Sequence, residues 1–265
     1  MITIIPYFSP TGRTQQAADA LTSEWECERL WVDMSEHDYD PRAVMLPGDG
    51  LCLLAVPCHY GRVPEFLEER IAGLRGHGRD AVLLVTHGGD DVGDTLTELR
   101  ELAERAGFFV RAAVSAVVQH ALCPDLEAGR PDTRDRHELT QFGQLIWDIP
   151  RLPMDTLELP GNEQPYRMRP ANSRVPEADI RCDECGACYP ACPTRAISAE
   201  RLPHVYSDQC IACMQCAAVC PRDARHLSDL DAARVRQGLH ERGAFASGRQ
   251  KNTLYMRRLG AIQEQ

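Results

Sequence analysis

The first 150 residues alternate short apolar runs with stretches in which apolar residues recur every three or four positions. An apolar run of strand length bounded by turn residues predicts a buried β-strand, whereas the three-to-four spacing predicts an amphipathic helix. The runs predict strands at 2–7, 27–33, 51–57, 81–86 and 108–118, and the helical patterns fall at 14–24, 64–73, 95–107 and 132–148.

Alternation of strands and helices predicts a parallel sheet with helices on both faces, because crossovers between parallel strands are right-handed. Five such strands indicate an α/β domain over residues 1–150, a flavodoxin-like, doubly wound, five-stranded parallel sheet. Proline is excluded from helix interiors and central strands, so six prolines between 150 and 176 predict an extended, stiff linker over 151–176. The cysteine-rich segment 177–228 forms a second small domain, and 229–265 is predicted to be a C-terminal helical tail.

Eight of the twelve cysteines form two copies of the spacing C-x2-C-x2-C-x3-C-P. Three cysteines at this spacing let one loop wrap three corners of a 4Fe–4S cube, and the fourth cysteine ligates the cluster of the other copy. The alternative, two zinc sites, is improbable because four-cysteine zinc sites use pairs of cysteines without a third at i+6. The predicted ligand sets are Cys182, Cys185, Cys188 and Cys220 for one cluster, and Cys210, Cys213, Cys216 and Cys192 for the other.

This segment resembles the bacterial two-cluster ferredoxins over roughly residues 178–228. The resemblance implies a small two-cluster α+β ferredoxin domain that carries two 4Fe–4S clusters.

Three loops follow predicted strands at their carboxyl ends, where a doubly wound sheet binds its ligand. The first, 9–14, reads S-P-T-G-R-T and leads into a helix, so its hydroxyl and amide groups form an anion site. The alternative for this loop is a plain Ser/Thr N-cap. The second loop, 57–64, reads P-C-H-Y-G-R-V-P, and the third, 86–90, reads T-H-G-G-D.

Loops and cysteine repeat together resemble flavodoxin–ferredoxin fusion proteins of bacteria and archaea over residues 1–228. The resemblance implies FMN, with its phosphate in the first loop and Tyr60 as a stacking residue. His87 stands where the family usually has tyrosine, which weakens stacking, and Asp90 stands where it usually has arginine, which disfavours an anionic reduced flavin. A sheet domain that has lost its flavin is the alternative. The implied FMN-binding residues are Ser9, Thr11, Gly12, Arg13, Thr14, Pro57, Cys58, His59, Tyr60, Gly61, His87, Gly88, Gly89 and Asp90.

Composition narrows the class of protein. A formal charge of −10 argues against a nucleic-acid partner, which requires a basic face. No apolar run reaches the roughly 18 residues of a membrane span, and the N-terminus has no basic region or cleavage site of a signal peptide, so a cytoplasmic protein is expected. Twelve cysteines without a secretion signal indicate metal ligands rather than disulfides.

The basic residues of the C-terminal tail allow two interpretations. A solvated helix face, or a tail packed on the acidic ferredoxin domain, is favoured over a docking patch for an acidic redox partner. The residues concerned are Arg234, Arg236, Arg242, Arg249, Lys251, Arg257 and Arg258.

The expected function is electron transfer between the two clusters and FMN, and on to redox partner proteins that act as donor and acceptor. No catalytic residue is assigned, and no G-x-G-x-x-G fingerprint for direct use of NAD(P)H is present. Two alternatives stay open: a flavoenzyme that reduces a small substrate with the clusters as its electron supply, and a redox-sensing or structural protein with an empty flavodoxin-like domain.

Overall fold

The computed structural model describes residues 1–44, 50–148, 157–170, 174–245 and 248–256. Its first half contains five parallel strands connected by helices. The strands are β1 (Ile2–Tyr7), β2 (Glu28–Asp33), β3 (Cys52–Pro57), β4 (Arg79–His87) and β5 (Phe108–Val117). The helices α1 (Arg13–Leu21), α2 (Phe66–Ala72) and α3 (Thr95–Arg105) connect consecutive strands, and α4 (Thr133–Trp147) follows β5. A short 3-10 turn, Pro41–Ala43, lies before β3.

The five strands lie in the order β2-β1-β3-β4-β5, and every neighbouring pair is parallel. This is the strand order of the flavodoxin-like doubly wound fold, so the predicted fold class is confirmed. The central strand β3 and residues 81–85 of β4 are apolar and almost wholly buried, as expected when helices cover both faces of a parallel sheet.

Helices cover the two faces of the sheet in pairs. Residues of α2 and α3 pack on one face and residues of α1 and α4 on the other, which forms two hydrophobic cores. The α1–α4 contact depends on Gly143, because a Cβ there would lie 1.8 Å from the carbonyl oxygen of Leu21. The indole Nε1 of Trp25 donates to the carbonyl of Gly143 at 2.9 Å, and its ring stacks on Trp147.

The expectation of a wholly helical tail is wrong in part. Helix α7 (Asp229–Glu241) matches it, but Thr253–Met256 forms a strand, β8, which lies antiparallel to β5 at the edge of the flavodoxin-like sheet. β5 would otherwise be an edge strand with unpaired backbone groups, and the backbone of 253–256 pairs with them. The residues of this strand, T-L-Y-M, include good strand formers. Asn252 supports this pairing, since its side-chain oxygen accepts a hydrogen bond from the amide of Val117 at 2.8 Å.

The tail contacts both halves of the chain. Val235 and Leu239 of α7 lie in one apolar cluster with Leu227, so the expected packing on the ferredoxin segment is made by apolar side chains. Among the described residues, three arginines of the tail instead pair with carboxylates of the flavodoxin-like half. Arg236 pairs with Asp125, Arg242 with Asp90 and Arg249 with Asp132. The tail returns to the sheet as a strand, and this brings its arginines beside acids far away in sequence. Arg257, Arg258 and the rest of 257–265 lie outside the described residues, as do 246–247.

The second half is built around a pair of very short strands and two short helical turns. The strands Glu177–Ala178 (β6) and Arg225–His226 (β7) pair antiparallel and bring the two ends of the cysteine-rich segment together. The helical turns Cys188–Ala191 (α5) and Gln215–Ala218 (α6) each lie within one cysteine run. An isolated bridge between Ile197 and Val205 joins the loops between them.

The described part of the linker is extended and packs along α3. The guanidinium of Arg100 donates to the backbone carbonyl of Leu157 at 2.7 Å. The hydroxyl of Thr97 donates to the backbone carbonyl of Pro160 at 3.0 Å. Leu157 is buried in the core beneath α2 and α3. Linker positions 151–156 and 171–173 lie outside the described residues.

Candidate redox sites

The eight cysteines of the repeat line two hollows. Each hollow takes three cysteines from one run and the fourth from the other run, which is the crossed arrangement predicted from the spacing. The hollows have similar empty volumes, ≈ 330 and ≈ 310 Å³. Cys182, Cys185, Cys188 and Cys220 line the first, and Cys210, Cys213, Cys216 and Cys192 line the second.

Tight turns place backbone amides on the sulfur atoms. The amide of Ala196 donates to Cys192 Sγ at 3.2 Å, and the amide of Ala224 donates to Cys220 Sγ at 3.3 Å. The two fourth cysteines therefore share one feature, since each accepts a hydrogen bond from the amide of the alanine four residues on. Such bonds stabilise a thiolate, which is the form of cysteine that binds metal.

The donor set fits a polynuclear cluster. Burial raises the pKa of Cys216 to about 12, and the neighbouring Cys210 and Cys192 thiolates raise it further. Ionised thiols at this site therefore require a bound cationic group. Within the described residues, no three His, Cys, Asp or Glu side chains converge closely enough to hold one metal ion. A cube that spans four cysteines suits this spacing better than one zinc ion does.

The two hollows differ in exposure. Cys213 has only 8% of its surface exposed and packs with Ile211 against the core formed by α2, α3 and the sheet. Cys185 is exposed, and Cys182 and Cys220 beside it are half-buried. We call the hollow of Cys213 the inner site and the hollow of Cys185 the outer site.

The first predicted flavin loop, 9–14, forms an anion cradle at the start of α1. Gly12 has φ 77° there, a conformation that glycine adopts without strain. Across the described chain, the amides of Thr11, Arg13 and Thr14 have no protein acceptor, which leaves them for an anion. The Ser9 hydroxyl accepts from the amide of Gln15.

Two side chains of this loop point away from the cradle toward the protein. The Thr14 hydroxyl is buried against that of Thr86 at 2.8 Å. The Arg13 guanidinium donates to the side chain of Gln119 at 2.6 Å. The backbone of the loop, more than these two side chains, therefore supplies the donors of the cradle.

The second loop has a tight turn at its tip. The backbones of His59 and Arg62 exchange hydrogen bonds of 2.9 and 3.0 Å, and Tyr60 and Gly61 between them both have positive φ. This is the geometry of a two-residue turn of type I′. Tyr60 is half-buried, with its hydroxyl 3.4 Å from the guanidinium of Arg174.

The flanking residues of this loop, Pro57 and Cys58, remain close to the sheet. Burial raises the pKa of the Cys58 thiol to about 11, so it is protonated at neutral pH and is not a nucleophile. The Thr95 hydroxyl donates to its sulfur at 3.3 Å. Pro57, the last residue of β3, pairs with Thr86 on β4.

The third loop is covered by a segment that the sequence patterns did not single out. A Cβ on Gly88 would lie 2.5 Å from the ring of His120, and one on Gly89 would lie 2.7 Å from the side chain of Glu127. Glycine is therefore required at both positions. His120 has no motif around it, and only the fold brings the segment after β5 onto this loop.

Asp90, which stands where the resembled family usually has arginine, is paired with an arginine from another part of the chain. The Arg242 guanidinium, just beyond α7, lies 2.8 Å from the Asp90 carboxylate. It offsets the negative charge that the departure from the family pattern introduces. The other two acids of this loop contact the linker: Arg167 donates to Asp91, and the backbone amide of Arg167 donates to Asp94.

Three imidazoles near the second and third loops are neutral at pH 7. Desolvation lowers the pKa of His59 to about 4 and that of His120 to about 4, and proximity to His120 lowers the His59 pKa further. Burial likewise lowers the pKa of His87. The Nδ1 atom of His87 is buried and has no hydrogen-bond partner in the described protein, so a bound flavin fits there.

No helix in the described ranges combines the length and apolar character that crossing a membrane requires.

Comparisons with known proteins identify the cysteine-rich segment. Residues 181–224 match the family model described as 4Fe-4S dicluster domain. The acetyl-CoA decarbonylase/synthase complex subunit alpha 1 of Methanosarcina mazei is 25% identical over 154 residues, 52% of this chain and 19% of the relative. Its Methanosarcina barkeri counterpart is 30% identical over 80 residues, 26% of this chain and 10% of the relative. The chain thus spans a fifth or less of these curated relatives.

Solved flavodoxins are similar to the first half. A Streptococcus pneumoniae TIGR4 flavodoxin is 17% identical, with a TM-score of 0.42, covering 55% of this chain and 97% of that one. A flavodoxin from the domain Archaea is 15% identical, with a TM-score of 0.40, covering 56% and 96%. Similarity at this level transfers no function, and the strand order is what identifies the fold.

A 4Fe–4S segment is a site for electron transfer, and such a protein requires redox partners. A flavodoxin-like sheet domain followed by a 4Fe-4S dicluster segment is the organisation of a flavodoxin–ferredoxin fusion, and this chain has that organisation.

Proposed function

We propose that this protein is an electron-transfer iron–sulfur flavoprotein that passes electrons between two 4Fe–4S clusters and FMN, and on to a redox partner protein. The observation that carries the proposal is the pair of four-cysteine hollows, each assembled from both runs. Crossed cysteines hold both runs in one unit and keep the two cluster sites adjacent, as electron transfer requires.

Bound clusters exchange single electrons, and a bound flavin exchanges one or two. The chain's own residues fix the sites and their electrostatics. Cys192 and Cys220 join the runs, and the amides of Ala196 and Ala224 donate to these sulfurs. Hydrogen bonds to sulfur and burial are the means by which a protein raises or lowers a cluster's potential.

The FMN part of the proposal is supported by the three loops at the carboxyl ends of β1, β3 and β4. The unpaired amides of Thr11, Arg13 and Thr14 suit the phosphate. The orphan Nδ1 of His87 and the half-buried ring of Tyr60 suit the ring system. Arg242 neutralises Asp90, so this ion pair places no net negative charge near an electron-rich reduced flavin.

A second candidate function is a flavoenzyme that reduces a small substrate, with the clusters as its electron supply. The observation that favours it is the group of neutral imidazoles His59, His87 and His120 next to the second and third loops. Fast, saturable oxidation of the reduced protein by one metabolite, lost in His87→Ala, would establish this function over that of a carrier.

Anaerobic purification with metal, sulfide and flavin analysis tests the proposal. We expect about eight iron and eight sulfide per chain, as two 4Fe–4S clusters require, and one FMN. Stoichiometric zinc without sulfide would contradict the cluster sites. Protein that carries no flavin, and whose spectrum is unchanged by added FMN, would leave the flavodoxin-like domain empty and favour a sensing or structural role.

Flavin specificity gives a sharper test of the anion cradle. Thr11→Ala keeps the backbone amide but removes a hydroxyl from the cradle, so it should weaken FMN binding more than riboflavin binding, because only FMN carries the phosphate. Equal losses for both flavins would place the phosphate elsewhere. Thr14→Ala is the less direct probe because it also removes the hydrogen bond to Thr86.

A further inference from the structure

The two cluster sites are enclosed differently, and this difference assigns them different partners. The inner site packs on the flavodoxin-like half through Cys213 and Ile211. The Gln215 side chain donates to the hydroxyl of Ser35 at 3.3 Å, and the His37 ring is hydrogen-bonded to the carbonyl of Cys192. Ser35 and His37 both belong to the loop after β2, so the inner site is attached to the sheet domain.

Met214 closes a second side of the inner site. Its side chain packs with Leu122 of the segment that covers the third flavin-type loop, and with residues of α7. The same cluster contains Leu239 and Leu227. Protein therefore surrounds the inner site on the sides toward the sheet and toward α7, which limits the approach of a second macromolecule there.

The outer site is open. Cys185 is exposed, the Ile180 side chain is as exposed as in an extended peptide (102%), and Tyr189 is 39% exposed. Large apolar side chains exposed at the rim of a redox site are typical of a surface where another protein docks.

The rim of the outer site is also acidic. Residues 177–189 and 220–223 contain five carboxylates and two arginines, a net charge of −3. Arg181 pairs with Asp179 and Arg222 pairs with Asp183. Along the described chain, Glu177 and Glu184 have no ion-pair partner, so their charges face solvent. An acidic rim attracts a protein whose surface around its own redox centre is basic.

We infer that the outer site is where electrons enter or leave the chain, by docking of a redox protein with a basic face, and that the inner site connects the outer site to the flavodoxin-like half. The inference deepens the proposed function and rests on it. In each encounter with an oxidised partner, the outer cluster loses one electron and the partner's centre gains it. No bond forms or breaks, and no proton is transferred.

Charge reversal at the rim tests the docking surface. Glu184→Lys is compared with Glu26→Lys, which makes the same change of charge at an exposed residue after α1, among the elements on the opposite sheet face. The dithionite-reduced protein is mixed anaerobically with cytochrome c, a basic one-electron acceptor, in a stopped-flow instrument. At low ionic strength Glu184→Lys should slow electron transfer on the order of tenfold and Glu26→Lys less than about twofold, with the difference disappearing at high salt.

Two further measurements separate docking from altered cluster chemistry. Calorimetry with cytochrome c should show weaker binding to Glu184→Lys alone. A redox titration should show that this variant's cluster potentials have not shifted enough to explain the slower rate. Equal rates and affinities for the two variants, or equally fast reaction with the acidic haem protein cytochrome b5, would overturn the inference.

Loss of single clusters tests the order of the sites. A variant without the outer cluster, Cys220→Ala, should retain the inner cluster but lose fast exchange with cytochrome c. Cys192→Ala should retain fast exchange. The opposite pattern would overturn the assigned order. Absence of iron and sulfide from the wild-type chain would overturn the proposed function as well, whereas normal clusters with equal variant rates would overturn only this inference.

Discussion

The fourth cysteine of each run has the largest structural role of any single residue in the repeat. Cys192 follows the first run but lines the hollow of the second, and Cys220 does the reverse. Spacing alone predicts this exchange, because three cysteines already complete one loop and the following proline turns the chain away.

Substitution of these two cysteines gives a reciprocal prediction. Cys192→Ala should damage the cluster of Cys210, Cys213 and Cys216, and leave those thiols open to alkylation. Cys220→Ala should expose the thiols of the first run instead. Mass spectrometry of anaerobically alkylated protein identifies which cysteines react. Loss of the cluster beside the substituted cysteine in sequence would contradict the crossed assignment.

The histidines near the flavin-type loops predict a dependence of stability on pH. His120 has a pKa of about 4 in the fold, against about 6.5 when unfolded, so between these values only the unfolded chain binds the proton. Stability should therefore fall as the pH is lowered from about 6.5 toward about 4. His120→Asn keeps an acceptor for the amides of Leu122 and Cys123 but does not titrate there.

Thermal melts at several pH values check this expectation. The melting temperature of the wild type should fall more steeply below about pH 6.5 than that of His120→Asn. Exposed His137 on α4 provides the matched control, because His137→Asn should leave the wild-type slope unchanged. Parallel curves for all three proteins would show that His120 does not titrate differently in the folded and unfolded states.

Among the elements, the linker shows how buried charge positions an irregular segment. Glu98 on α3 is buried and accepts hydrogen bonds from Arg62, from the amide of Val63 and from Arg169 of the linker. The Arg62 guanidinium also lies 4.7 Å from the ring of Tyr166. The linker is thereby bound to the second flavin-type loop as well as to α3.

Removal of the central charge of this network should be costly. Glu98→Gln leaves the largely buried guanidinium of Arg62 without a counter-charge, whereas Arg169 keeps its ion pair with Glu68. We therefore expect a loss on the order of 3 kcal/mol in unfolding free energy. Glu104→Gln, at an exposed position of the same helix, should change stability by less than about 0.5 kcal/mol. Chemical denaturation of both variants measures the difference, and equal values would contradict a structural role for the Glu98 network.

The strand β8 is held on β5 in part by hydrogen bonds from one side chain, that of Asn252. Asn252 accepts from the amide of Val117 and donates to Asp135 and Glu138. Asn252→Ala leaves that amide buried and unpaired, at a cost of about 2 kcal/mol in unfolding free energy. Lys251→Ala, at the exposed neighbouring position, is the control and should be close to neutral. Hydrogen exchange at the amides of β5 should rise in the first variant alone.

In the whole molecule, the inner cluster site and the sheet domain share one hydrophobic core. Cys213 and Ile211 pack in the same cluster as residues of α2 and α3. Cluster binding and folding of such a segment are coupled. Loss of the clusters should therefore also destabilise the sheet domain, because the two halves are joined by this contact.

Removal of iron provides the corresponding prediction. Oxidative destruction of the clusters under chelation should increase hydrogen exchange in the loop after β2, which carries Ser35 and His37, and lower the melting temperature of the sheet domain. Amides of α1 and α4 on the opposite sheet face are the internal control and should change little. Unchanged exchange around Ser35 would show that the two halves fold independently.

Local patterns in the sequence were sufficient to predict the five parallel strands, the four helices that cover the sheet and the crossed cysteine sets. Strands and amphipathic helices depend on residue periodicity, and a cube held by cysteines depends on spacing along one loop, so neighbours in sequence carry the information. The predicted boundaries differ from those of the structure by at most three residues.

Contacts between residues far apart in sequence required the folded structure. The pairing of β8 with β5, the ion pair of Arg242 with Asp90 and the packing of His120 on Gly88 all join positions with no shared periodicity. The unequal burial of the two cluster sites is of the same kind, because the two runs have the same cysteine spacing. Which of them faces the sheet depends on how the whole chain packs, and no local pattern encodes that choice.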